Sequence, residues 1–124
     1  MEKIIKDFLT EITSFSNSIK EEVDSVNKYW SPGEPPIIML FARVGRKLVS
    51  IYPELDDNAK KNIFHYIEYG ITSDNDDLAT AVATGLIEAM VTTTDDYPSL
   101  WKQLEKLLGK ASKEHALAWR NFGQ

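Results

Sequence analysis

Apolar residues recur every three or four positions along almost the whole chain, and no other feature limits its fold so sharply. That spacing gathers them on one face of a helix, whereas a half-buried strand needs strict alternation. Ile5, Phe8, Ile12, Phe15, Ile19, Val23, Val26 and Trp30 make the first stripe and predict one long amphipathic helix over 1–30. Its Ser14–Ser18 stretch has poor helix propensity and is the expected place for a bend or break. Ser31-Pro32-Gly33-Glu34-Pro35-Pro36 follows, and its three prolines cannot continue a helix, so 31–36 is a loop.

The remaining 37–124 reads as a helical core. Ile37, Leu40, Phe41, Val44, Leu48 and Ile51 mark a second helix that ends before Pro53. Asp56 or Asp57 caps a third through Ile63 and Ile67, with Gly70 at its end. Ser73-Asp74-Asn75-Asp76 has the form of a capping box, with Ser73 accepting from the first amides of a fourth helix that carries Leu78, Val82, Leu86 and Met90. Pro98 opens a fifth with Trp101 and Leu104, which Gly109 stops. Ser112 caps a last one bearing His115, Trp119 and Phe122. The expected architecture is all-α: a single-domain bundle of five or six helices with mostly antiparallel neighbours.

Composition excludes several classes. With 43% hydrophobic and 27% charged residues the chain is globular rather than disordered. No cysteine occurs, which removes a disulfide scaffold, a thiolate nucleophile and a cysteine zinc site. A net charge of −5 disfavours nucleic acid as a partner. The uncharged runs Pro35–Ala42 and Leu78–Ile87 fall well short of the ~20 residues of a membrane span, and the charged N-terminus lacks the apolar run of a secretory signal, so the expected location is the cytoplasm, away from membranes.

Candidate chemistry is sparse. Lys61, His65 and Glu68 share a helical stripe that reads as a solvated set of charges. Glu88 falls on the same narrow polar stripe as Asp77, Ala81 and Thr84, which reads as a water-facing edge; an acid kept for a binding partner or an internal Arg is the alternative. His115 lies four residues before Trp119 and reads as half-buried against the ring, with no acid assignable from spacing. Asp74, Asp76 and Asp77 superficially suggest calcium, but Ala79 and Gly85 occupy positions where an EF-hand loop needs glycine and glutamate. Gly45 and Gly85 inside helices imply close helix approach. No catalytic residue, metal or cofactor is expected. Tyr52-Pro53-Glu54-Leu55 and Tyr97-Pro98-Ser99-Leu100 match at a spacing of 45 residues, but one tetrapeptide is weak support for a helical repeat.

Charge layout is more informative. Residues 54–96 hold ten acids against Lys60 and Lys61 alone, a net −8, while the rest of the chain carries +3. In an up-and-down bundle the turns after the second and fourth helices lie at one end, which would gather Glu54, Asp56, Asp57, Asp95 and Asp96 into an acidic patch. Such a patch raises encounter rates with a basic partner. Tyr52 and Tyr97 are the expected exposed aromatic anchors, and Asp74, Asp76 and Asp77 join the candidate partner-binding set. The competing explanation is that these acids are ordinary helix caps.

Gly85-Leu86-Ile87-Glu88-Ala89-Met90, then Trp101-Lys102-Gln103-Leu104 and Leu107-Leu108-Gly109, then Ser112-Lys113-Glu114-His115-Ala116-Leu117-Ala118-Trp119 resemble a run shared by a small all-helical bacterial family of unassigned role. The resemblance covers roughly 64–122. In size and genomic type that family is similar to the immunity proteins of polymorphic-toxin and contact-dependent inhibition systems. It implies an immunity protein, not an enzyme, that occludes a cognate toxin, with a basic nuclease domain as the expected partner. It carries over no catalytic residues, and its shared residues read as structural: Gly109 as a C-cap, Ser112 as an N-cap and Trp119 as core. The alternatives from other classes are a helical adaptor or scaffold with a repeat-like surface, and a small helical enzyme using Glu88 and a histidine.

Overall fold

The computed structural model describes residues 1–122, and every regular element among them is helical. Besides a short 3-10 turn at Tyr52–Glu54, the described residues form seven helices rather than five or six: α1 (Lys3–Ser14), α2 (Asn17–Trp30), α3 (Ile37–Ile51), α4 (Asp57–Ile71), α5 (76–93), α6 (Pro98–Leu107) and α7 (Lys110–Arg120). The extra helix arises because 1–30 is not continuous. Ser16 turns its hydroxyl back to accept from Ile19 N at 3.3 Å, capping α2 and ending the first helix at Phe15.

Helix α5 is continuous but irregular. Its central Ala81–Ile87 stretch is π-helical, wider than the α-helical turns on either side. Its cap is Asn75, whose side chain accepts from Leu78 N at 2.9 Å; Ser73 instead accepts from Asn75 N and shapes the approach. At the far end buried Thr94 donates to the Met90 and Val91 carbonyls and closes the last turn.

One contiguous core draws on all seven helices, with Phe8, Phe41, Phe64, Ile12 and Leu86 among its fully buried side chains. α2 and α3 are antiparallel, joined near the middle by Arg43 and Glu22 at 2.7 Å. The tightest pair, α3 with α5, is parallel. Pro36, Ile37 and Ile38 share a cleft with Asp77, Thr80 and Ala81 at one end, and Gly45 meets Leu86 and Ala89 farther along. A Cβ at Gly85 would lie 2.7 Å from Phe41 Cβ and 2.8 Å from the Ile38 carbonyl, and one at Gly45 would collide with the Leu86 carbonyl. Both glycines are therefore explained by backbone approach. Gly70 likewise makes room for the Phe8 ring rather than ending α4, which runs on to Ile71. Among the described residues no helix is long and apolar enough to cross a membrane.

Candidate functional site: the acidic and aromatic end of the bundle

Parallel packing of α3 and α5 brings their C-termini to the same end. The 52–57 turn and the 94–97 turn both lie there, as bundle topology requires. Glu54, Asp56, Asp57, Asp95, Asp96 and Tyr97 are all exposed. Asp74, Asp76 and Asp77 are not part of this end. They sit at the start of α5, whose 18 residues separate them from Asp95 by about 25 Å at 1.5 Å per residue.

Helix capping explains only some of these acids. Asp56 accepts from Ala59 N at 2.7 Å and caps α4, while Asp57, Asp76 and Asp77 lie in first turns, where the helix dipole favours them. Asp95 and Asp96 have no such role, because Tyr97 occupies the N-cap position of α6. Asp95 instead faces Arg120 at 3.7 Å.

The two expected anchors divide. Tyr97 is 59% exposed, but Tyr52 is only 4% exposed, packed edge-on to Phe64 beneath the Lys60 ammonium, which lies 4.4 Å from its ring centre. Burial pushes the Tyr52 phenol up, and the nearby Asp57 carboxylate adds to the rise. Tyr52 is therefore a core residue, not an anchor. Its place is taken by Trp119 and Phe122, 38% and 78% exposed, stacked with ring centres 5.9 Å apart and planes within 10°. The sequence reading assigned Trp119 to the core; its position one turn from Phe122, at the end of a short helix, is the signal that the pair projects outward.

Four side-chain contacts dock α7 and hold that pair in place. Its N-terminus is capped by Glu68 of α4, whose Oε2 accepts from Ala111 N at 2.9 Å and whose Oε1 accepts from Ser112 N at 2.9 Å and Ser112 Oγ at 2.7 Å. Glu68 thus leaves the expected charged stripe, while Lys61 and His65 remain exposed. Burial alone would raise its carboxyl, but the hydrogen bonds from Ser112 and Ala111 outweigh burial and hold it below the usual glutamate value. Ser112 is fully buried inside α7 rather than capping it, and Gly109 is the N-cap, where a Cβ would lie 2.5 Å from Glu68.

His115 Nε2 meets Glu88 Oε2 at 2.9 Å, so Glu88 faces α7 rather than water. Trp119 Nε1 donates to Thr92 Oγ1 at 3.2 Å. Arg120 completes the series by laying its guanidinium 4.8 Å from the Trp101 ring centre beside Asp95. The pairings of 115 with 88 and of 119 with 92 make α7 parallel to the second half of α5, ending at the acidic turns. Among the described residues no group of three or more His, Asp or Glu side chains converges on a metal position.

These features define, among the described residues, an all-helical bundle whose last helix is docked by side-chain contacts and whose one end is acidic and aromatic. The chain belongs to the DUF7674 family, a domain of unknown function, which it matches over residues 8–123. The family therefore takes in the second half of α1, all of α2 and the proline loop, beyond the 64–122 covered by the C-terminal motif. No curated protein and no solved structure matches it significantly.

Proposed function

We propose that this chain is an immunity protein: a binder that neutralises a cognate bacterial toxin domain, a basic nuclease, by covering its working surface. One observation carries the reading: the 52–57 and 94–97 turns, with their exposed acids, lie at the same end of the bundle as the exposed Tyr97, Trp119 and Phe122. Clustered carboxylates match the positive potential a nuclease offers to phosphates. Aromatic side chains amid such a field are the usual anchors of protein interfaces. On this reading the chain does no chemistry, and the Glu88–His115 pair is an interhelical tie.

Co-expression of the tagged chain with the product of the gene immediately upstream tests the proposal. The expected result is a stable complex, loss of the partner's nuclease activity, and survival of cells that otherwise die on its expression. A partner that neither binds nor is inhibited overturns it.

A further inference from the structure

We infer that the stacked Trp119–Phe122 pair is a docking face for arginine side chains of a basic protein segment. The inference rests on the reading that the acidic end takes a basic partner, and it names the chemistry of the contact. Trp119 and Phe122 stack with nearly parallel planes and stay exposed, next in the chain to Arg120, which faces Asp95, and the indole is held in place by its bond to Thr92. A guanidinium binds well over a ring face, best over Trp, with a carboxylate at its rim.

The molecule already uses this arrangement twice at the same end. Arg120 lies over Trp101 beside Asp95, and Lys60 lies over Tyr52 near Asp57. Those two rings are almost wholly buried and already hold a cation, whereas Trp119 and Phe122 are open. Charge complementarity selects the occupant, since Glu54, Asp56, Asp57, Asp95 and Asp96 are exposed at this end. A neutral apolar segment would leave those carboxylates desolvated without a partner, at a cost. Arginine is preferred over lysine because its planar group stacks and bonds a carboxylate at once.

Titration of the intact protein with a hexa-arginine peptide, followed by the indole N–H resonances in NMR, tests the inference. The Trp119 signal, assigned with Trp119→Phe, should shift while that of Trp30 stays. Hexa-lysine should bind several-fold more weakly, and neutral hexa-citrulline should shift nothing. Trp119→Leu with Phe122→Leu should weaken hexa-arginine binding about tenfold, from two exposed cation–ring contacts. Phe122→Leu alone, lying beyond the last helix, should weaken it about threefold and serves if the double variant misfolds. Equal binding of hexa-citrulline, equal movement of Trp30, or unchanged affinity in the variants overturns the inference. The two readings fail separately. Arginine binding without toxin protection sinks the immunity function alone, whereas toxin binding indifferent to Trp119 and Phe122 sinks only this contact.

Discussion

Glu68 is the side chain whose loss should matter most for its position. It reaches across from α4 to satisfy two first-turn amides of α7 and the buried Ser112 hydroxyl. A helix cap is worth ~1 kcal/mol, and leaving a buried hydroxyl unsatisfied costs about 1–3 kcal/mol. Glu68→Ala should therefore destabilise by roughly 2–4 kcal/mol. Glu68→Gln should lose less, about 1–2 kcal/mol, because one oxygen survives for Ser112 while the amide nitrogen confronts the Ala111 N–H. Urea unfolding at pH 7, read as a fall in midpoint at constant slope, measures both.

The pH dependence supplies a second readout. A carboxyl held below the ordinary 4.5 contributes stability that is fully present above that value and is lost as pH falls through the lower folded value. The gap between wild type and Glu68→Ala should stay level from pH 6 to 8 and narrow below about pH 4.5. A Glu68→Ala protein within about 0.5 kcal/mol of wild type, the range of an ordinary surface change, would refute the reasoning.

Gly45→Ala and Gly85→Ala should each destabilise by roughly 2 kcal/mol, despite alanine's better helix propensity, because the new methyl meets backbone across the α3–α5 contact; a raised melting temperature would count against that packing. Tyr52→Ala should cost about 3–5 kcal/mol as a core truncation, and a tyrosine that could be truncated without loss in thermal unfolding would not be buried as described. Replacing Asp56, Asp57, Asp95 and Asp96 with Asn, which still caps helices, should slow toxin association severalfold at low salt with little effect on stability. That difference should shrink at physiological salt, where the screening length is about 8 Å, and Glu2→Gln with Glu11→Gln should do little in the same stopped-flow assay.

Helix identity was legible because it depends on local spacing. The proline loop, the Asp56 cap and the glycines at helix contacts all follow from residues within a turn or two of each other. The placement of the 52–57 and 94–97 turns at one end was legible too, since it needs only the alternation of helix direction. What escaped were contacts whose two halves lie far apart in the chain. Ser112 and Gly109 have the residue types of an N-cap and a helix stop, and local rules assign them so. The carboxylate that caps α7 comes instead from Glu68, some forty residues away, and it displaces the boundary by drawing Ser112 inside the helix.

Glu88 was misread for a different reason, and the π-helical stretch accounts for it. Stepping 100° per residue from Asp77 places Ala81, Thr84 and Glu88 on one polar edge, but that step holds only for an α-helix. Within Ala81–Ile87 the wider turn advances fewer degrees per residue, and the shortfall accumulates before Glu88 is reached. Of that stripe Asp77 and Thr84 are exposed and Ala81 is buried, while Glu88, beyond the π-helical stretch, is half-buried against α7. The same unwinding turns Glu88 toward His115 and Thr92, one turn on, toward Trp119. The irregularity in α5 thereby sets the seat of α7, and with it the direction in which Trp119 and Phe122 face. Local propensity gives no notice of it, and the same stretch holds Gly85 and Leu86 in close contact with α3. The aromatic end and the glycine contact are consequently one structural problem, and a Gly85 variant that restores regular α-helical winding should turn Glu88 away from His115 and loosen α7 before it unfolds the bundle. Amide exchange that accelerates across 110–120 well ahead of α3 and α4 is the expected sign; uniform acceleration would break the link.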